Sequence, residues 1–164
     1  MANDLLNKED VLNLLESVKD PEIPVLSVVD LGVVRDVVLV NSDVEVVITP
    51  TYSGCPAMNT IEEDIRKVLT DNHLEVKVTT VLSPSWTTDW MTESGKRKLE
   101  EYGIAPPAET SANKMSLIGE EPKVNCPLCK STNTVVVSQF GSTACKALYK
   151  CKDCLEPFDY FKCL

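Results

Sequence analysis

The spacing of apolar residues changes several times along the chain, and each change marks an element. Val11, Leu14, Leu15 and Val18 fall on one face at helical spacing, with Asn7 placed to cap the helix and Glu9 and Asp10 in its first turn. This helix is predicted to end near Lys19, because Asp20-Pro21-Glu22-Ile23-Pro24 cannot continue it. Val33 to Val40 is β-branched and interrupted only by Arg35 and Asp36, so it reads as a strand. Asn41-Ser42-Asp43 turns the chain, and Val44 to Thr49 returns as the hairpin partner. From Met58 to Thr70 the period is helical again, with Ile61, Ile65, Val68 and Leu69 on one side. Leu74 to Leu82 reads as a third strand, and a further helix runs from Thr92 to Tyr102 with Gly103 as its stop.

The order α-β-β-α-β-α predicts an α+β domain with a small three-stranded sheet over residues 1–104. Residues 105–122, rich in Pro, Ser, Ala and Glu, read as a linker. Residues 123–164 form a separate all-β module, with a strand over Thr134 to Gln139.

Charge separates the same parts. Residues 1–110 carry nine Lys and Arg against twenty Asp and Glu, a net of −11, whereas residues 111–164 carry seven against five, a net of +2. The acidic part repels phosphate backbones and holds no basic stripe, which argues against nucleic-acid binding. Aromatic residues make up 5% of the chain, so aliphatic cores are expected. The sequence shows no signal peptide, membrane-spanning run or lipidation motif, which predicts a cytoplasmic location away from the membrane. In that compartment seven cysteines point to metal or thiol chemistry rather than disulfides.

The stretch Thr49-Pro50-Thr51-Tyr52-Ser53-Gly54-Cys55-Pro56-Ala57 joins a strand to a helix. With Pro56 as the first helical residue, Cys55 falls at the N-cap, where unpaired amides and the helix dipole stabilise a thiolate. The competing reading is a buried cysteine acting as a small hydrophobe. Asp20 and Glu22 belong either to a solvated turn or to a rigid loop beside another site. Ser83 to Trp90 either caps the sheet edge or contributes Ser85 and Thr87 to a site shared with Cys55. His73, the only histidine, lies in a polar turn, so no Cys-His dyad or Ser-His-Asp triad is available.

Six of the seven cysteines lie beyond residue 122. Cys126-Pro-Leu-Cys129 and Cys151-Lys-Asp-Cys154 are two C-x2-C pairs 21 residues apart, the pattern of two knuckles that aim four thiolates at one tetrahedral ion. Around a strand this makes a zinc ribbon with one structural zinc; a rubredoxin-like iron site uses the same ligands. A module this small needs the metal to complete its fold. Cys145 and Cys163 lack the x2 spacing and read as packing residues, with a second, labile ligand set as the alternative.

Residues from about 8 to 104 resemble the domain of iron–sulfur assembly and targeting factors, including the bacterial factor SufT, through Asp20-Pro21-Glu22, Val29-Asp30-Leu31-Gly32 and the loop ending in Cys55-Pro56. Pro50 to Ala57, Trp86 to Met91, Tyr102 to Pro107, Phe140 to Cys151 and Glu156 to Cys163 resemble the D-subunit family of the phenylacetyl-CoA epoxidase system. The resemblance implies an accessory, non-catalytic role in phenylacetate breakdown, with a di-iron oxygenase and a flavin and [2Fe-2S] reductase as partners, together with iron–sulfur assembly machinery. It implies delivery of iron or an iron–sulfur cluster through Cys55 as a transient ligand. Asp20, Glu22 and Thr51 are its neighbours in this reading, and Cys145 and Cys163 auxiliaries. The rival implication is a structural component in which Cys55 is merely packed and the Trp86 to Met91 loop docks other subunits. A third, a thiol enzyme with Cys55 as nucleophile, lacks a histidine partner.

Overall fold

The computed structural model describes residues 6–41, 43–107 and 122–162. They form two compact units. The first runs to Trp86 and includes Trp90–Thr92; the second holds Thr87–Asp89 and the described residues from Glu93 onward. The mixed α+β class with a three-stranded sheet and a C-terminal all-β part is the one expected.

In the first unit, helix α1 spans Lys8–Leu15. Asn7 Oδ1 accepts the Asp10 amide at 3.0 Å while Asp10 Oδ2 accepts the Asn7 amide at 2.9 Å, a reciprocal capping box that satisfies two otherwise orphaned donors. The helix stops a turn before the expected Lys19. Ser17 and Val18 donate to Leu14 and Leu15, tightening the last turn, and the chain from Val18 to Asp20 then bonds to the segment 26–28. Lys19 pairs with Ser27 as an isolated bridge, so its backbone is committed to an extended partner rather than to the helix. Asp20 Oδ1 accepts the amides of both Glu22 and Ile23 at 2.8 Å. This side chain-to-backbone turn fixes the proline-bracketed loop.

Strand β1 (Val34–Val40) pairs antiparallel with β2 (Asp43–Ile48), and β2 pairs parallel with β3 (Glu75–Thr80) through helix α2 (Ala57–Asp71). The sheet order is β1-β2-β3. A parallel neighbour requires a crossover, and α2 is that crossover. Val44, Val46 and Ile48 on one face of β2 are buried, as are Ala57, Ile61, Ile65 and Leu69 at four-residue steps along α2. The aliphatic core predicted from composition is present in this unit.

The tryptophan loop closes on the Asp30-Leu31-Gly32 turn. Buried Trp86 donates its indole N–H to the Leu31 carbonyl at 2.8 Å, and the Thr92 amide donates to the Asp30 carbonyl at 2.9 Å. Trp90 stacks beneath the Arg35 guanidinium, 3.4 Å from the ring centroid. Trp86 and Met91 are therefore spent on packing, whereas Ser85 is exposed. Gly32 has φ +70°, and a Cβ there would lie 2.3 Å from the Trp90 carbonyl oxygen and 2.8 Å from its Cβ.

The second unit contains helix α3 (Glu93–Glu101), stopped by Gly103 at φ +90°, and strand β4 (Ile104–Ala105). It continues with β5 (Thr134–Ser138), β6 (Lys146–Cys151) and β7 (Pro157–Phe161), in the order β4-β7-β6-β5. β4 pairs parallel with β7, so Ile104 and Ala105 belong to this sheet; most of the expected linker, residues 108–121, lies outside the described residues. The core here departs from the aliphatic expectation. Tyr149, Phe158 and Tyr160 cluster with Val124, Ala147, Cys126 and Cys151. Tyr149 stacks on Phe158 at 5.9 Å and meets Tyr160 edge-on at 5.5 Å. A sheet of a few short strands has room for few side chains, and aromatic rings bury the most area per residue.

Gly32→Ala is expected to destabilise the first unit by about 3 kcal/mol, since it combines backbone strain with a collision against backbone atoms. Gly54, at φ +79° with open space where a Cβ would project, is expected to lose only about 1 kcal/mol on the same change. Urea midpoints of the two variants measure the contrast.

Candidate functional site

The loop between β2 and α2 begins where the Thr49 amide donates to Val33 at 2.9 Å. Thr49 itself is buried, and its hydroxyl oxygen has no hydrogen-bond partner among the described residues. Tyr52 to Cys55 forms a tight turn closed by the Cys55 amide on the Tyr52 carbonyl at 3.2 Å. Gly54 at φ +79° occupies the third position, which in a type II turn demands a left-handed residue. Cys55 and Thr51 are each partly exposed.

Cys55 does not occupy the N-cap, as the sequence suggested. Pro56 does, with φ −68° and ψ −22°, and α2 starts at Ala57. The Cys55 carbonyl accepts a three-residue bond from the Met58 amide at 3.2 Å, and the helical ladder opens one residue later. The start of α2 has no side-chain cap and no acidic residue in its first turn. The amide-rich, electropositive end of a 15-residue helix therefore lies directly after Cys55. Asp20, one of the expected neighbours, is buried, with one carboxylate oxygen bonded to its own loop; Glu22 is half-buried. His73 sits exposed at φ +63° in the turn after α2.

In the second unit the Sγ atoms of Cys126, Cys129, Cys151 and Cys154 all lie within 4.8 Å of one another. Cys126 and Cys154 are 3.8 Å apart and Cys129 and Cys151 3.5 Å. Four sulfurs about 2.3 Å from a tetrahedral zinc stand roughly 3.8 Å from each other, so these thiols fit the ion.

The two knuckles share one backbone design. In each, the amide of the first cysteine donates to the carbonyl five residues on: Cys126 to Ser131 at 2.9 Å, Cys151 to Glu156 at 3.0 Å. In each, the residue after the second cysteine is left-handed, Lys130 at φ +64° and Leu155 at φ +68°. This reversal turns following amides toward the sulfurs, and the sequence did not announce it because neither residue is glycine. The two knuckles are also tied together by a residue that sequence reasoning passed over. Asp153, inside the second pair, accepts from the Ser131 hydroxyl and from Asn133 Nδ2 at 2.8 Å; Lys152 donates its amide to Asn133 at 2.8 Å. The signal was present, since an acid between paired ligands is a natural outer brace.

The thiols are electrostatically unequal. The amide of Cys154, helped by that of Asp153, lowers the Cys151 pKa to about 7. At Cys154 the Glu156 amide acts in the same direction, but desolvation and the three neighbouring thiols outweigh it and push the value up to about 12. Cys145 is buried at the opposite end of β6, with its sulfur 3.1 Å from the Thr143 hydroxyl. Six residues of strand from Cys151 amount to about 20 Å, too far to join the four thiols. Cys163 lies outside the described residues.

Comparisons with known proteins match both units. A family described as the PaaD zinc beta ribbon domain matches residues 110–162, and one described as an iron–sulfur cluster assembly protein matches residues 8–83. The putative 1,2-phenylacetyl-CoA epoxidase D-subunit of Escherichia coli K12 is 49% identical over 156 residues, covering 94% of this chain and 92% of that protein. An Fe-S protein maturation auxiliary factor of Porphyromonas gingivalis is 39% identical over 103 residues, 60% of this chain and 97% of its own. A crystal structure of a domain of unknown function from Bacillus anthracis superposes with a TM-score of 0.53 at 33% identity, covering 56% of this chain and 90% of that one.

Two predictions follow from the metal centre. Asp153→Ala is expected to weaken zinc binding by about tenfold or more, read by competition with a chromogenic chelator. Zinc binding displaces thiol protons. Above pH 7 Cys151 is already thiolate, and below it one further proton must leave, so affinity should fall by roughly an extra tenfold per pH unit below 7. Chelator competition across pH 6 to 8.5, in about half-unit steps, measures that change of slope. With both of its units matched and nearly its whole length aligned to one relative, the chain belongs to the phenylacetyl-CoA epoxidase D-subunit family.

Proposed function

We propose that this protein is a non-catalytic accessory factor that matures a phenylacetyl-CoA epoxidase system, holding iron or an iron–sulfur cluster transiently at Cys55 and passing it to a client subunit. The observation that carries the reading is the placement of Cys55. It is a partly exposed thiol on a glycine-hinged turn, followed at once by the uncapped amino end of α2. A soft metal needs a sulfur ligand it can reach and leave. Amides at a helix start favour the extra negative charge of a thiolate or a thiolate-bound cluster. The family described as an iron–sulfur cluster assembly protein matches residues 8–83, within the first unit, which supports placing the transfer chemistry there.

In this reading Thr51 flanks the thiol, and Asp20 and Glu22 brace the neighbouring loop. The ribbon cysteines Cys126, Cys129, Cys151 and Cys154 hold a resident zinc and do not exchange it; zinc is preferred over iron because it is the ion that the matched ribbon family is named for. Cys145 is a packing residue. The partners are the oxygenase and reductase subunits and the iron–sulfur assembly machinery, in the cytoplasm. No helix among the described residues is long and apolar enough to cross a membrane.

The test is the iron and acid-labile sulfide content of oxygenase and reductase, each co-expressed with the native chain, with Cys55→Ala, or with neither. Metal or sulfide missing in the last two cases identifies the client and supports transfer through Cys55. Full metal loading with lost epoxidase activity would instead make the chain a structural component of the complex.

A further inference from the structure

Strand β5 is the open edge of the second sheet among the described residues, bonded to β6 on one side. Its sequence, Thr134-Val-Val-Val-Ser138, has neither a charge nor a proline. Soluble proteins ordinarily blunt such an edge with lysine, proline or a covering loop, because unpaired backbone groups and apolar side chains recruit another strand. Here a register irregularity of the bulge type, itself a device that turns an edge away, lies between Val136 and Ser138 and is the one such departure in the β5–β6 pairing. Val136 packs against the core, while Val135 and Val137 project on the other face, 37% and 58% exposed. Phe140, just beyond the strand, is 62% exposed. Two valines on the open edge and a phenylalanine just past its end are thus exposed within six residues of chain.

Two lysines stand beside this strip. Val135 stands opposite exposed Lys150 in the β5–β6 register, and the Lys162 ammonium sits 4.2 Å from the Phe140 ring centroid. Of the nearby carboxylates, Asp159 faces Lys146 at 4.0 Å and Asp153 holds Ser131 and Asn133, while Glu156 is exposed in the turn before β7. The four-carbon stem of a lysine can lie across a valine and present its ammonium beyond it. An added strand therefore meets valines, a phenylalanine and cationic groups.

We propose that β5 docks an extended segment of a partner protein as a fifth strand, and that this segment alternates apolar and acidic side chains. Backbone pairing supplies the geometry, Val135, Val137 and Phe140 take the apolar positions, and Lys150 and Lys162 select carboxylates. A second copy of this chain fits less well, since its own β5 carries no carboxylate and would bring lysines together. The inference goes beyond the metal-transfer reading and does not depend on Cys55.

The test uses the full-length, zinc-loaded, 15N-labelled chain and a synthetic capped peptide of alternating Val and Glu. Amide shift changes and slowed hydrogen exchange concentrated on Thr134–Ser138 are expected. A peptide with Lys in place of Glu should bind at least about tenfold more weakly, and the difference should shrink in high salt. Val137→Thr, which keeps β-branching, should weaken the Val-Glu peptide without changing zinc content or the melting midpoint. Three results would overturn the proposal: no response at β5, equal binding of the two peptides, or β5 shifts that track protein concentration alone and vanish in Val137→Thr. The last would assign the edge to a second copy.

Discussion

The first unit hangs on the buried carboxylate of Asp30. Its two oxygens accept the Ser27 amide at 3.2 Å and the Thr92 hydroxyl at 3.1 Å, while its own amide donates to the Ser27 hydroxyl at 2.9 Å. Ser27 in turn donates to Glu16, at the end of α1. One acid thereby fixes the exit of the first helix, the turn into β1 and the segment that follows the tryptophan loop. A charge buried to this degree is tolerated only when such donors surround it. The register passes onward from the same turn: Val33 accepts the Thr49 amide, which sets where β2 ends and where the loop carrying Cys55 departs. The position of the thiol is inherited, through hydrogen bonds, from a carboxylate far away in sequence.

The second unit solves a different problem. A few short strands bury little apolar surface, and its packing relies on ring contacts among Tyr149, Phe158 and Tyr160 on one side and on four convergent sulfurs on the other. Two of those sulfur residues, Cys126 and Cys151, are themselves members of the aromatic cluster. Metal held by these thiols would therefore make ligation and side-chain packing one cooperative event rather than two. The strain of non-glycine residues at the left-handed Lys130 and Leu155 is held by the knuckle hydrogen bonds, and a metal on the four thiols would add to them.

Much of this was legible from residue order alone. Hydrophobic period located the helices and the three strands of the first sheet, and the paired C-x2-C motifs located the four thiols, because both signals are local. What escaped was set by partners distant in the chain. α1 ended early because Val18 to Asp20 bond to residues 26–28. The N-cap moved from Cys55 to Pro56 because a three-residue bond preceded the helical ladder. The aromatic core of the ribbon was hidden by a whole-chain average in which most rings happen to fall in one short unit. Asp153 was overlooked because its partners, Ser131 and Asn133, lie some twenty residues upstream.

The β2–α2–β3 crossover carries a consequence for how such proteins diversify. Because β3 runs parallel to β2, the loop holding Cys55 leaves the carboxyl end of a strand and enters the amino end of a helix. That is where open sheets with helical crossovers habitually place their ligands. The register of β2 against β3 is held by six paired residues, and the crossover between them is α2. Substitutions, insertions or a change of donor atom between Thr49 and Ala57 can alter what the loop presents while the paired strands stay as they are. Selection can rewrite the chemistry of this fold in one short edit of sequence, without refolding anything.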